Sequence, residues 1–361
     1  MKAVFGLAII VDGTLVFNAR DPVVLEEKAV AAAELLRQGK LVAFPTETVY
    51  GLGASVRDER AVSRIFEVKG RPVDNPLIVH LSDISELPGL ARNIPAEAWT
   101  LARRFWPGPL TLVLEKQPWV PGVVTGGLDS VAVRVPDHPV ALALLRAAEL
   151  PVAAPSANIS GRPSPTTADH VLADLAGRIS AVLDGGPCDI GVESTVLDVR
   201  GGCLRILRPG SITPQEIAGL LQRKCEIVEL SADKNPPSPG LKYRHYAPRA
   251  PLYLFLGEPG KVTVKMQEEL ETWLSRGKKA GLLVTLESAK AFSGYRNVEL
   301  IVPGSRDDPA AMAARLYAAL REFDARRVDV ILAEGCSPKG AGLALLNRLQ
   351  KAAGENIVQV E

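Results

Sequence analysis

From about residue 22 to residue 225, short β-branched runs alternate with segments whose apolar residues recur at helical spacing. The runs are LVAF (41–44), LIVHL (77–81), LTLVL (110–114), VAVRV (131–135), AVLD (181–184), TVLDV (195–199) and LRIL (204–207). Each has the length of one strand. Their separation is uneven and includes Pro-Gly turns, Trp106-Pro107-Gly108-Pro109 among them, so a regular β–α repeat does not fit. The pattern predicts an α/β domain built on a twisted, open, mixed sheet that is partly antiparallel. An earlier apolar run, Val4 to Val11, stops at Asp12-Gly13, which reads as a turn between two strands. Thr213-Pro214-Gln215-Glu216 announces a last helix: threonine caps it, proline occupies the first turn and glutamate completes a capping box.

This first domain is assigned residues 1–225, and 226–250 form a connection of different character. Pro236, Pro237, Pro239, Pro248 and Pro251 cannot sit inside a helix or a central strand, so the segment is extended. Residues 251–361 make a second domain. There LYLFLG (252–257), GLLVT (281–285), VELIV (298–302) and VDVILAE (328–334) alternate with helical patterns near 261–276, 309–323 and 342–353. That alternation predicts a smaller doubly wound, Rossmann-like parallel sheet.

Composition narrows the function classes. Hydrophobic residues make up 47% and charged residues 23%, as in ordinary globular chains. A net charge of +1 argues against gripping a nucleic acid backbone as the main activity. Only the connection is basic, with four basic residues and one acidic residue in 231–251. Cys188, Cys203, Cys225 and Cys336 contain no C-x-x-C pair, so neither a disulfide scaffold nor a zinc finger is spelled out, and a reducing cytosol is the simplest setting. The eight-residue run Val4–Val11 is far short of the roughly twenty residues of a membrane span. It also lacks a signal peptide's cleavage pattern, so a cytoplasmic protein without an anchor is expected.

No G-x-x-x-x-G-K-[ST] and no G-x-G-x-x-G occurs, so a bound nucleotide is held by another device. Candidate chemistry gathers at strand ends. Phe44-Pro45-Thr46-Glu47-Thr48-Val49-Tyr50-Gly51-Leu52-Gly53 follows a strand, where loops line clefts, or else its Thr and Glu cap a following helix. Lys69-Gly70-Arg71-Pro72 closes a helix that starts near Asp58. These cations either complement the helix dipole or clamp a polyphosphate, and at a helix end truncation should remove charge but little packing. His80, taken alone, reads as a satisfied, half-buried histidine. Alternation along 130–136 puts three valines on one face and Ala132 and Arg134 on the other. An arginine in such a strand needs an anion, either a structural carboxylate or a substrate's. Two further polar loops, 155–164 and 191–195, and Arg208-Pro209-Gly210-Ser211 also lie at strand borders. Cations, hydroxyls and amides abound, with no paired catalytic carboxylates and no Ser-His-Asp spacing. The inventory suits positioning and charge neutralisation, as in attack on a phosphate.

As a set, FPTETVYGLG, Lys69-x-Arg71 with NPLIVHL, PGPLTLVL, VAVRVP, PSANISGRPSPT, GVESTVLD and RPGSI resemble the YrdC-like threonylcarbamoyl-AMP synthase family in its long two-domain form. SPGLKYRHYAP (238–248) resembles the linker of that form, with Leu241 where methionine is common. Gly340-Ala341-Gly342-Leu343 and Asn347-Arg348-Leu349 resemble its C-terminal domain. The resemblance implies synthesis of threonylcarbamoyl-AMP and pyrophosphate from L-threonine, bicarbonate and ATP, the first step toward threonylcarbamoyladenosine at position 37 of tRNA. It implies Lys69 and Arg71 as catalytic cations. It implies Arg71, Asn75, Ser130, Ser156, Asn158, Ser164, Arg208 and Tyr246 as ATP contacts, with the Tyr246 ring suited to stacking on adenine. It implies Thr48, His80, Arg134, Ala154 and Ser194 as threonine contacts, and the substrate carboxylate placed on Arg134 would supply the anion that its strand position needs. Mg²⁺ would arrive with ATP, without protein side-chain ligands. The product would pass to the tRNA threonylcarbamoyl-transferase complex, with weak or absent tRNA binding by this chain. Residues 238–248 would form a lid. Two other readings stay open: a carbamoyltransferase using the same domain, disfavoured by the cysteine spacing, and an RNA-binding or ribosome-assembly module, disfavoured by the charge.

Overall fold

In the computed structural model the described residues are 2–5, 8–228 and 245–361. Leu241, Lys242, Tyr243 and Arg244, and with them most of the expected lid, lie outside them. The chain divides into two compact units: Met1–Ser160, Ser164–Asp189 and Glu193–Tyr243 in the first, and Gly161–Pro163, Ile190–Val192 and Arg244–Glu361 in the second. Among the described residues no helix is long and apolar enough to cross a membrane.

The first unit is built on one mixed sheet of 14 strands. The early apolar run is two strands rather than one: Lys2–Phe5 pairs with Ala8–Val11, which turns through Asp12-Gly13 into the antiparallel Thr14–Asn18. Across the middle the order is Ala181–Asp184, Val42–Phe44, Gly51–Ser55, Val152–Ala153, Ile78–His80, Ser130–Arg134, Leu110–Lys116, Thr195–Asp198 and Arg205–Arg208. Antiparallel pairs predominate, and Ala181–Asp184 with Val42–Phe44, Ile78–His80 with Ser130–Arg134, and Leu110–Lys116 with Thr195–Asp198 are parallel.

The loop after Phe44 caps no helix. It leads into the strand Gly51–Ser55, which returns antiparallel to Val42–Phe44, and Thr46 Oγ1 accepts from the N–H groups of Thr48 and Val49 to close the turn. That strand reads GLGAS and lacks the β-branched residues by which strands are recognised in sequence.

Helix Glu59–Lys69 is bounded as its sequence demands. Asp58 accepts from Arg60 N and Ala61 N, and Gly70, at φ 61°, makes the left-handed turn that lets Arg71 N reach Phe66 O. Helices Pro22–Arg37 and Pro139–Ala148 pack on each other, and their apolar faces form one core with Phe17, Val42, Phe44, Val152 and Leu183. A larger core lies on the other side and receives Val79, Val131, Val133, Leu112, Leu114, Leu197 and Ile206. In the second half of the sheet, among the described residues, the opposite face holds the small cluster Ile78, Val113, Ala132, Val196 and Leu207, with Val228 packed against it. Alternation therefore sends the valines of 131–135 into the main core and turns Ala132 and Arg134 to the lightly covered face.

The second unit is a five-stranded parallel sheet in the order Val298–Ile301, Ala280–Leu283, Val330–Glu334, Leu252–Gly257, Ile357–Val360. Helices Pro259–Ser275, Pro309–Arg326 and Gly342–Ala353 alternate with the strands, and Asp308 caps the second of them by accepting from Ala311 N. Four strands and three helices fall where the periodicity put them. The strand Ile357–Val360 was not expected from the pattern.

Candidate active site

The lightly covered face carries a row of polar side chains. Ser130, Ala132 and Arg134 alternate along one strand, which at about 3.3 Å per residue spans roughly 13 Å. His80 stands beside Arg134 in register on the parallel neighbour. From the next strands come Thr111, whose hydroxyl lies 2.8 Å from Ser194 Oγ, and Arg208, which donates from Nε to Ser194 O and from Nη2 to Ser194 Oγ, both at 3.1 Å. Gly210 makes this approach possible, because a Cβ there would stand 2.2 Å from Thr195 N.

Arg134 has an anionic neighbour inside the protein. Its Nη2 lies 2.5 Å from Glu47 Oε2, Nη1 donates to Thr48 Oγ1 at 2.9 Å, and Nε donates to Gly108 O at 3.1 Å. The Glu47 contact is an ion pair without hydrogen-bond alignment, and both Glu47 oxygens lack an aligned donor among the described residues. Within the protein, Glu47 is thus a structural carboxylate beside Arg134. His80 is buried with its ring edge-on to Phe44, and burial, then the charge of Arg134, hold its pKa down at about 3. It is neutral at physiological pH, and its Nδ1 has no hydrogen-bond partner among the described residues.

Lys69 and Arg71 are not surface cations at a helix end. Lys69 is 2% exposed, and its Nζ donates to the carbonyl oxygens of Ser156 and Asn158. Arg71, also buried, donates to Asn75 O and Pro76 O. Truncating either removes structural hydrogen bonds, which corrects the expectation that only charge would be lost. Asn75 is buried, and neither its amide nitrogen nor its amide oxygen has a hydrogen-bond partner among the described residues, an arrangement that points to a ligand. Ala154 follows the strand Val152–Ala153, and its N–H donates to Ile78 O. Ser164 donates to Glu193 Oε1 at 2.5 Å.

Glu47 and Glu193 received no role from the sequence, although both stand inside motifs that were singled out. Their only signal was a carboxylate in a loop otherwise made of hydroxyls and small residues. Tyr246 corrects an expectation in the other direction. It belongs to the second unit, is 5% exposed, and has its ring stacked on Tyr317 at 5.4 Å with the Arg348 guanidinium 5.4 Å from its centroid. The ring thus already has an aromatic and a cationic partner within that unit, where the sequence pattern suggested a face open to a base. The Cys188 thiol is not an activated nucleophile: burial pushes it well above its usual range.

Residues 34–210 match the family model described as "Telomere recombination", and residues 212–354 match the one described as "Threonylcarbamoyl-AMP synthase, C-terminal domain". The chain is 49% identical over 350 residues to threonylcarbamoyl-AMP synthase of Pyrococcus abyssi, covering 96% of this chain and 100% of that one. The chain belongs to the threonylcarbamoyl-AMP synthase family. It is also 47% identical over 352 residues to the Bacillus subtilis synthase, covering 97% of this chain and 98% of that one. Among solved structures it is similar to Pyrococcus abyssi Sua5 complexed with L-threonine, with a TM-score of 0.88 and 49% identity over 93% of this chain and 97% of that chain. The similarity spans both units, so the synthase family covers the polar face of the first unit and the parallel sheet of the second.

Proposed function

We propose that this enzyme joins L-threonine, bicarbonate and ATP into threonylcarbamoyl-AMP and pyrophosphate, the first step toward N6-threonylcarbamoyladenosine at position 37 of tRNA. The threonine amine and bicarbonate combine as a carbamate with loss of water. A carbamate oxygen then attacks the α-phosphorus, and the bond to the bridging oxygen breaks as pyrophosphate leaves. This is adenylyl transfer, so the enzyme is a nucleotidyltransferase. One observation carries the reading: the buried cations Lys69, Arg71, Arg134 and Arg208 border one sheet face and its loops. Two anions must meet there, and fixed positive charge and oriented donors offset their repulsion.

The residues take roles along the row. Arg134, Thr48, His80, Ala154 and Ser194 hold threonine at one end, the guanidinium serving the substrate carboxylate while Glu47 keeps it oriented. Neutral His80 adds hydrogen bonding without adding charge. Ser130, Asn75, Arg71, Ser156, Asn158, Ser164 and Arg208 hold ATP, and Lys69 shapes the 156–158 loop beside the phosphates. Mg²⁺ would travel on the triphosphate and neutralise it. The near-neutral charge favours handing the product to the tRNA-modifying complex in the cytoplasm over stable tRNA binding.

Pyrophosphate release with threonine, bicarbonate and ATP present, and with each omitted in turn, tests the reading. Release that needs all three supports it. Release that persists without threonine means idle ATP hydrolysis and refutes it.

A further inference from the structure

The second unit has a crevice that the reaction above does not use. Its two central strands, Leu252–Gly257 and Val330–Glu334, are parallel neighbours whose following helices leave in opposite directions. Pro259–Ser275 leads two places to one side, to Ala280–Leu283, and Gly342–Ala353 leads two places to the other, to Ile357–Val360. Right-handed crossovers running opposite ways lie on opposite faces, so the chain parts beyond the carboxyl ends of these strands. This is the place where open α/β sheets bind ligands. Here it holds a cavity of about 440 Å³ lined by Phe255, Val262, Arg306, Glu334 and Leu346 and by the 335–338 loop. That volume lies within the range of small-molecule sites.

The lining is mostly apolar, with one polar device. Glu334, 4% exposed, accepts from Thr285 N and Thr285 Oγ1, each at 3.0 Å, and from Arg306 Nη2 at 2.6 Å. Arg306 Nη2 also donates to Ser288 Oγ at 3.0 Å. A buried ion pair of this kind seldom stabilises a fold more than apolar residues of the same volume would, so folding alone gives little reason for it at a cavity wall. All the side-chain bonds of Arg306 come from that one nitrogen. Its Nε and Nη1 make no hydrogen bond among the described residues, and its side chain is 29% exposed. A guanidinium anchored at one corner, with the three N–H groups of Nε and Nη1 to spare, is suited to a planar or tetrahedral oxyanion. On the far side, the 335–341 loop enters helix Gly342–Ala353 without a side-chain cap. Phe255, Val262 and Leu346 offer an apolar body the rest of the space.

We infer that this crevice binds a nucleoside 5′-phosphate, with the phosphate on Arg306 and the base among Phe255, Val262 and Leu346. The site is separate from the one that serves the reaction in the first unit. It does not depend on that reaction being correctly assigned.

Calorimetry on the full-length protein with adenosine 5′-monophosphate tests this, with adenosine and inorganic phosphate as separate arms. Arg306→Gln removes the anion partner. Ser337→Trp places a bulky side chain at the exposed mouth and keeps the test valid should Arg306→Gln fail to fold. Both are also assayed for pyrophosphate release. The expected result is that each variant weakens one binding event by about 10- to 100-fold, as loss of a charged hydrogen bond does, while pyrophosphate release stays within about twofold. Any of three results overturns the proposal: no binding of the monophosphate outside the first unit, unchanged binding in folded Ser337→Trp, or phosphate alone binding as tightly as the nucleotide. The last would reveal an adventitious ion site only.

Discussion

Replacing Glu47 by glutamine should destabilise the first unit far more than a surface substitution would, because its partner Arg134 cannot escape to water. The two side chains are 7% and 4% exposed, with Arg134 Nη2 2.5 Å from Glu47 Oε2. Removing one member of a buried pair leaves an uncompensated charge and costs about 3–5 kcal/mol. Arg134→Met should cost a similar amount, since it strands Glu47 and leaves Gly108 O and Thr48 Oγ1 without their donor. The double variant removes both charges and, because Thr48 Oγ1 keeps its bond to Thr46 Oγ1 at 2.8 Å, leaves one unpaired carbonyl at Gly108, a loss of roughly 1–3 kcal/mol. The double variant should therefore be more stable than either single one, with a coupling energy of at least about 3 kcal/mol. Urea unfolding in a Trp273→Phe background reads the first unit through Trp99, Trp106 and Trp119. The expected signature is a lower midpoint at unchanged m-value. Single-variant costs that add to within about 0.5 kcal/mol in the double variant would refute the argument, since uncoupled sites behave that way. Threonine binding gives a second readout: Arg134→Met should abolish it, and Glu47→Gln should retain part of it.

Lys69→Ala should lower both pyrophosphate release and melting temperature, with about 1.5–3 kcal/mol lost for each buried charged hydrogen bond to the 156–158 loop; unchanged melting would contradict the bonding described. His80, at about 3 in the folded protein against 6.5 as its ordinary value, contributes stability that is fully present above pH 6.5 and lost as pH falls toward 3. At pH 5 the loss is roughly 2 kcal/mol, and His80→Gln should flatten that slope in urea titrations at pH 7.5 and pH 5. Gly210→Ala should cost about 1–3 kcal/mol and reduce synthase activity, because its Cβ meets backbone at 2.2 Å; wild-type melting would show that the loops yield freely. Tyr246→Ala should destabilise the second unit by about 3–5 kcal/mol as a buried aromatic lost from its stack, while ATP affinity measured on the folded fraction changes little. A selective loss of ATP affinity at unchanged stability would restore the stacking assignment.

What the sequence determined by itself was local. Asp58 and Gly70 bound a helix through their own backbone preferences, Thr213 and Glu216 form the expected capping box, and the alternation in 131–135 places Arg134 on the face opposite the valines. These outcomes need only neighbours a few residues away. In the second unit apolar strand cores and intervening helical periods sufficed to show a parallel sheet, because strands covered on both faces are continuously apolar. The strand Gly51–Ser55 escaped because its state is imposed by pairing with Val42–Phe44 and Val152–Ala153, not by its own composition. The site chemistry escaped for the same reason. Motifs singled out Lys69, Arg71 and Arg134, but partners come from afar: Lys69 reaches a carbonyl 87 residues away, Ser164 a carboxylate 29 residues away, and Arg134 the loop that holds Glu47 and Thr48. Tyr246 looked like an open aromatic face in a basic strap and is packed between Tyr317 and Arg348. Periodicity and capping record interactions within one or two turns of chain, whereas burial, charge pairing and the choice of which face stays open depend on which distant strands become neighbours, and only the tertiary structure decides that.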